Sequence, residues 1–267
     1  MNLHEAPPRI RRALPIKGFI EVSLIDFPFG QPGAVVFLAG CDARCGYCQA
    51  SHMVANAGRI PSIPLEAVLE ALEDLQGFVK GVTVTGGEVS LYPSLPEMLL
   101  DPLRRLRLAV KIDTYGARPE RIDTWLENGF IQYLAVDLKG PWDRYPDIIG
   151  RRLSANQLNG IRSWIRRIAE PRFRIPCEFR TTVHPDLLSR GEIVDTARQI
   201  EGAAVYVLQN YKPVPGFNPD LQSRSGYAAE TLRELACEIR QRGIVGRCFV
   251  RGFEQDDPAT EVSRCAS

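Results

Sequence analysis

From residue 34 onward the chain alternates short apolar runs of strand length with longer stretches that carry one apolar stripe at helical spacing. This alternation limits the fold more than any other feature. Residues 34–38, 82–85, 108–112, 131–138, 173–183, 203–208 and 245–250 read as strands. Between them, Pro64 opens a helix striped by Leu65, Val68, Leu69, Leu72 and Leu75, and further helices cover 94–106, 119–128 and 190–201. Leu158, Ile161, Trp164, Ile165 and Ile168 stripe another helix, and Leu232, Leu235, Ala236 and Ile239 a last one that stops at Gly243. Residues 18–24 form a further strand, and 139–152 a longer connection with Gly140, Pro141, Trp142 and Pro146.

Repeated strand–helix units with continuously apolar strands predict a parallel sheet covered by helices. Six units with extra strands at the ends predict an α/β fold of one domain, a partial (β/α)6 TIM-like barrel of parallel strands; a doubly wound open sheet is the competitor. The expected boundaries are a lead-in 1–17, the barrel domain 18–252 and a tail 253–267. A formal net charge of +1 offers no field of one sign to steer nucleic acid. The N-terminal residues have no apolar segment of the signal-peptide kind, and no run approaches the ~18 apolar residues of a membrane span, so a soluble cytoplasmic protein with no membrane partner is expected.

Three of the seven cysteines crowd into residues 41–48, Cys41-Asp42-Ala43-Arg44-Cys45-Gly46-Tyr47-Cys48, directly after the first buried strand. Sites in parallel α/β folds lie at the carboxyl ends of strands. A Cys-x3-Cys-x2-Cys loop there can hold three thiolates around one small object. Iron–sulfur clusters take thiolate ligands, usually four, so three leave one iron open to a further ligand. His52 keeps a second reading alive: Cys41, Cys45, Cys48 and His52 as a closed zinc site in a binding module without redox chemistry. Cys177, Cys237, Cys248 and Cys265 have no ligand-like spacing and read as core or surface residues.

The cysteine spacing, with the aromatic Tyr47 before the last cysteine, resembles the radical S-adenosylmethionine (SAM) superfamily. Thr85-Gly86-Gly87-Glu88, one strand–helix unit later, is similar to that family's Gly-Gly-Glu motif. Asp113-Thr114-Tyr115-Gly116 resembles the Asp-Thr-Asn-Gly of glycyl-radical-enzyme activases, and Asp137-Leu138-Lys139 their Asp-Leu-Lys. Residues 23–28, Ser-Leu-Ile-Asp-Phe-Pro, resemble the entry segment of anaerobic ribonucleoside-triphosphate reductase activating proteins. The sequence departs from the family pattern at Asp42-Ala43, at Ala50 and at Val89.

The resemblance implies a [4Fe–4S] cluster on Cys41, Cys45 and Cys48 that chelates SAM at its open iron. It implies that Tyr47, Gly86, Gly87, Glu88, Asp113, Thr114, Asp137 and Lys139 bind the cofactor. In that scheme Glu88 accepts from the SAM ammonium, Gly86 and Gly87 allow close approach, Lys139 meets the carboxylate and Asp113 the ribose. Asp113, Thr114 and Asp137 also match positions that hold a monovalent cation beside SAM in an activase. The implied reaction is reductive cleavage of SAM to a 5′-deoxyadenosyl radical that takes a hydrogen atom from a glycine of a partner glycyl radical enzyme, with flavodoxin or ferredoxin as one-electron donor. A small-molecule substrate is the alternative within the superfamily. The loop 210–216 is expected at the active edge, against the partner or the adenine.

Overall fold

The computed structural model describes residues 14–253, so residues 1–13 of the expected lead-in and 254–267 of the expected tail lie outside the described residues. The chain forms two compact units, one built from the residues up to Cys41 together with His52–Tyr133, the other from Asp42–Ser51 together with the residues from Leu134 onward.

The first unit holds β1 (Ile16–Ser23), β2 (Gly33–Leu38), α1 (Ser51–Ala55, its first residue belonging to the second unit), α2 (Leu65–Asp74), β3 (Gly81–Gly86), α3 (Asp101–Arg105), β4 (Ala109–Thr114) and α4 (Pro119–Glu127). β1 runs antiparallel to β2, while β2–β3 and β3–β4 are parallel. Ala34, Val36 and Leu38 on β2 and Val82 and Val84 on β3 are fully buried, as are Val68 and Leu72 of α2 and Ile122 of α4. The helix expected over 94–106 begins with a π-helical stretch, Pro96–Leu100, in which the Asp101 N–H reaches back to the Pro96 carbonyl. Pro102 has no N–H to continue the ordinary ladder, which accounts for the wider turn beside it.

The segment after β1 closes the amino-terminal side of this sheet. The Asp26 carbonyl accepts from Thr83 Oγ1 at 2.9 Å and from Lys111 Nζ at 2.8 Å. The Phe27 side chain lies over Gly33 and Gly81, which are register partners; a Cβ on either would fall within 2.4 Å of it. Two glycines side by side are therefore the seat of one buried ring.

The second unit holds β5 (Tyr133–Asp137, its first residue belonging to the first unit), α5 (Tyr145–Ile148), α6 (Ala155–Ala169), β6 (Cys177–Val183), α7 (Arg190–Arg198), β7 (Val205–Asn210), α8 (Ala229–Gln241) and β8 (Arg247–Arg251). β5–β6, β6–β7 and β7–β8 are all parallel. Helices α6 and α7 each start with a capping box, Ser154 with Gln157 and Ser189 with Glu192, which satisfies two free N–H groups at each start. Ile161, Trp164, Ile165 and Ile168 of α6 are buried as their spacing predicts, each contributing about 1.5–3 kcal/mol. α5 lies within the longer connection expected over 139–152.

Strand order follows chain order in each unit. The fold is the expected α/β class, with parallel strands in the sequential order of a partial (β/α)6 barrel. Among the described residues no helix is long and apolar enough to cross a membrane.

Candidate functional site

In the first unit the functional residues gather at the carboxyl ends of β2, β3 and β4. After β2 the chain turns at Gly40, φ +88°, and reaches Cys41. Gly86, φ +106°, ends β3. A Cβ on Gly86 would come within 2.4 Å of the Leu38 carbonyl, and one on Gly87 within 1.8 Å of the Gly40 carbonyl. Only glycine fits at either place. The Gly87 N–H donates to Leu38 O at 2.7 Å and the Glu88 N–H to Gly40 O at 3.0 Å. The Tyr92 hydroxyl donates to the Ala39 carbonyl. The Gly-Gly-Glu turn is thus fastened to the backbone that delivers Cys41.

The Glu88 side chain is 1% exposed. Its Oε1 accepts from the Ser90 N–H at 3.0 Å, the Ser90 hydroxyl at 2.5 Å and the Thr114 hydroxyl at 2.6 Å, and its Oε2 from the Tyr115 N–H at 2.9 Å. Burial raises its pKa above the ordinary glutamate value against the pull of these bonds. The carboxylate is therefore turned onto the protein and braces the Asp113–Gly116 turn. Thr114 is brought to Glu88. Asp113, one residue earlier, points to the other strand face. Its carboxylate lies 3.0 Å from Lys111 Nζ.

In the second unit the cysteine loop is held by the residues after α5. The Arg44 N–H donates to Ile149 O at 2.7 Å, and Arg151 donates to Asp42 at 2.5 Å. Asp42, a departure from the family pattern, is thus a loop anchor. Gly150, φ +60°, lies so close that a Cβ would meet Arg44 O at 2.5 Å. The Cys48 N–H closes a turn onto Cys45 O at 3.0 Å. Cys41, Cys45 and Cys48 form no disulfide.

Burial raises the pKa of Cys45 and of Cys48, and Lys139 is the foremost influence that opposes it at both. Tyr47 is 5% exposed, and its buried hydroxyl has no hydrogen-bond partner. Burial pushes its pKa well up. Lys139 Nζ lies 5.8 Å from the Tyr47 ring centroid and 3.3 Å from Asp137 Oδ2. Burial acts to lower the Lys139 pKa, but Asp137, Tyr47 and Cys45 together hold it well above the ordinary value. Asp137, Lys139, Tyr47, Cys45 and Cys48 therefore share one electrostatic neighbourhood.

Sequence reasoning missed Arg180. Its Nε and Nη2 both lie 3.0 Å from Asp137 Oδ1. Two cations, Arg180 and Lys139, thus flank the carboxylate expected to help hold a monovalent cation. Only the register of β5 with β6, Asp137 opposite Arg180, gives this away. Ser90 was missed too, although a serine two residues after Glu88 is a local signal of a side-chain turn.

His52, the fourth ligand of the zinc reading, is exposed on α1. Among the described residues no three His, Cys, Asp or Glu side chains meet at one ion. A cubane gives each thiolate its own iron, so its ligands need not converge on a point. In the second unit, Cys45 and Cys48 near the buried Lys139, with the Tyr47 hydroxyl unpartnered, fit thiolate ligands of a cluster with an organic ligand; in the first, the Gly86-Gly87 turn lies against the backbone that delivers Cys41. Cys177 on β6 and Cys248 on β8 form no disulfide; Cys237 on α8 is disulfide-bonded, and Cys265 lies outside the described residues.

The radical SAM superfamily model matches residues 35–186. A Methanocaldococcus jannaschii protein provisionally named a glycyl-radical enzyme activating enzyme is 26% identical over 82% of this chain and 89% of its own length. The 7-carboxy-7-deazaguanine synthase of Hyperthermus butylicus is 27% identical over 70% of this chain and 84% of its length. Among solved structures, Streptococcus suis SuiB bound to S-adenosylmethionine superposes with a TM-score of 0.59 at 18% identity, covering 80% of this chain. This chain spans about half of SuiB, 49%. Escherichia coli QueE gives 0.51 at 15% identity, covering 90% of this chain and 94% of its own.

Proposed function

The chain belongs to the radical SAM superfamily, and within it we propose that the protein installs a glycyl radical on a partner enzyme of the anaerobic ribonucleotide reductase type. Its cofactors are a [4Fe–4S] cluster and SAM. The observation that carries the activase reading is the relative of that name, which aligns over most of both chains. The Asp113-Thr114-Tyr115-Gly116 and Asp137-Leu138-Lys139 stretches support it.

In this reading Cys41, Cys45 and Cys48 hold the cluster. When bound, cluster and SAM supply a 5′-deoxyadenosyl radical for hydrogen-atom abstraction. The chain's own residues prepare the site. Cys45 and Cys48 keep their protons near neutral pH in the free protein, and Lys139 supplies the charge that eases their loss. Lys139 would then meet the SAM carboxylate. The turn Gly86-Gly87-Glu88 would receive the SAM ammonium; Glu88 fixes that turn through its four bonds, of which Oε2 takes only one and so keeps acceptor capacity. Tyr47 would offer the bound cofactor its unpartnered hydroxyl. Asp113 would be the acceptor for the ribose, and Thr114, on the opposite face of β4, would act through its bond to Glu88. A flavodoxin or ferredoxin delivers the electron.

A second reading, a small polar substrate, is favoured by the 7-carboxy-7-deazaguanine synthase relatives. One face of β5–β8 carries charges among its apolar side chains. Arg180 joins Asp137 there, and Arg251 grips Glu178 with two bonds of 3.0 and 2.9 Å. The zinc module is overturned by the family match. Co-expression with a glycyl radical enzyme, followed by electron paramagnetic resonance, separates the two that remain. A doublet on the partner's glycine supports activation. SAM-dependent turnover of a small molecule by the isolated enzyme, with no doublet, refutes it.

A further inference from the structure

The connection between β7 and α8, residues 211–228, lies across the cysteine loop. The Asn218 N–H donates to Gly46 O at 3.0 Å, and Ser51 Oγ donates to Pro215 O at 2.7 Å. The Arg44 guanidinium sits 5.5 Å from the Phe217 ring centroid. Two glycines meet face to face. A Cβ on Gly216 would come within 2.6 Å of Gly46 O and 3.8 Å of the Cys48 nitrogen, and a Cβ on Gly46 within 3.0 Å of Asn218 Cβ. Every residue from Pro215 to Asn218 thus has a counterpart between Arg44 and Ser51.

The other end of the segment is anchored as firmly. Arg224 donates to Asp186 at 2.7 Å, and the Tyr227 hydroxyl to Leu188 O at 2.6 Å. Asn210 Nδ2 donates to Tyr227 O at 3.2 Å, and the His184 ring meets the Tyr211 ring edge-on at 5.1 Å. Leu221 is buried beneath. The segment is fixed to the loop after β6 and presents its backbone and one aromatic ring to the cysteine loop.

We propose that residues 211–228 form a positioning strap, in which Gly216, Phe217 and Asn218 set the placement of Cys45 and Cys48 and limit access to them. The strap acts through the cysteine loop, with no part in the bond-breaking step. The inference rests on the reading of Cys45 and Cys48 as cluster ligands, but its first test needs no metal.

That test measures the alkylation rate of each thiol in the metal-free protein by peptide mapping after timed exposure to iodoacetamide. Phe217→Ala removes the ring contact, Gly216→Val forces the two loops apart, and Phe217→Tyr keeps the ring. The first two variants are expected to label Cys45 and Cys48 about fivefold faster, with Cys248 on β8 unchanged and Phe217→Tyr like the wild type. Unchanged rates at Cys45 and Cys48 in both variants overturn the strap. So does a parallel rise at Cys248, which reports general loosening. In the iron-loaded protein, the shift of the reduced-cluster resonance on adding SAM should weaken in Phe217→Ala and persist in Phe217→Tyr. A wild type that binds no iron refutes the ligand reading alone and leaves the alkylation result standing.

Discussion

Thr114 Oγ1 donates to Glu88 Oε1 at 2.6 Å, and this bond ties the end of β4 to the turn after β3. Glu88 also takes the Ser90 and Tyr115 donors, so its removal strands several buried groups at once. Each buried donor left without an acceptor costs about 1–3 kcal/mol. Glu88→Ala should lower the urea-unfolding free energy of the metal-free protein by about 3 kcal/mol or more. Thr114→Val, which removes one donor, should cost less. An unfolding curve of Glu88→Ala that overlays the wild type would show that these bonds do not hold the turn.

Lys139 lies against Tyr47 and Asp137 and is the foremost charge easing ionisation of both Cys45 and Cys48. Lys139→Gln should weaken SAM binding about ten- to a hundredfold, the worth of one charge-assisted hydrogen bond. Isothermal titration of the iron-loaded protein reads this directly. Equal affinity in the two proteins would remove Lys139 from the SAM site.

Arg180 and Lys139 both face the Asp137 carboxylate, so a third cation there meets repulsion from two sides. SAM affinity should therefore not change when potassium or sodium is replaced by a bulky organic cation. Arg180→Ala should create such a dependence, because Asp137 then loses its guanidinium. A wild-type requirement for a small monovalent cation would show that the carboxylate is available after all.

His184, at the end of β6, has its pKa lowered first by burial and then by Arg224, while Asp186 and the Ser225 backbone oppose the shift. A depressed pKa means that the unfolded chain binds this proton more readily than the folded one. Stability from the neutral ring is thus full above about pH 6.5, the ordinary value, and is lost as pH falls below it. The urea midpoint of the metal-free wild type should fall between pH 7.5 and 5.5 more steeply than that of His184→Gln. Identical slopes would deny His184 any part in the acid sensitivity.

The features legible in the sequence were the local ones. The cysteine spacing, the Gly-Gly-Glu turn, the apolar stripe of α6 and the stop at Gly243 each lie within one short window. Distant partners were not legible. Asp137 meets Arg180 only through strand register, and Glu88 meets Thr114 across 26 residues. For the same reason the sequence assigns the Glu88 carboxylate to a ligand, whereas the fold spends most of it on the protein. The loop after β7 reads as a partner or adenine contact because its packing against Gly46 depends on both loops being placed. Residues 23–28 read as a family signature, and their physical task emerges only when Phe27 is seen on Gly33 and Gly81.

The most direct measurement is 5′-deoxyadenosine released from SAM under dithionite by anaerobically reconstituted wild type, Cys45→Ala and Cys177→Ala. The wild type and Cys177→Ala should release it and carry about four irons, while Cys45→Ala, still folded, should release none. Release by Cys45→Ala at the wild-type rate would contradict the assignment of the three thiolates on which everything else depends.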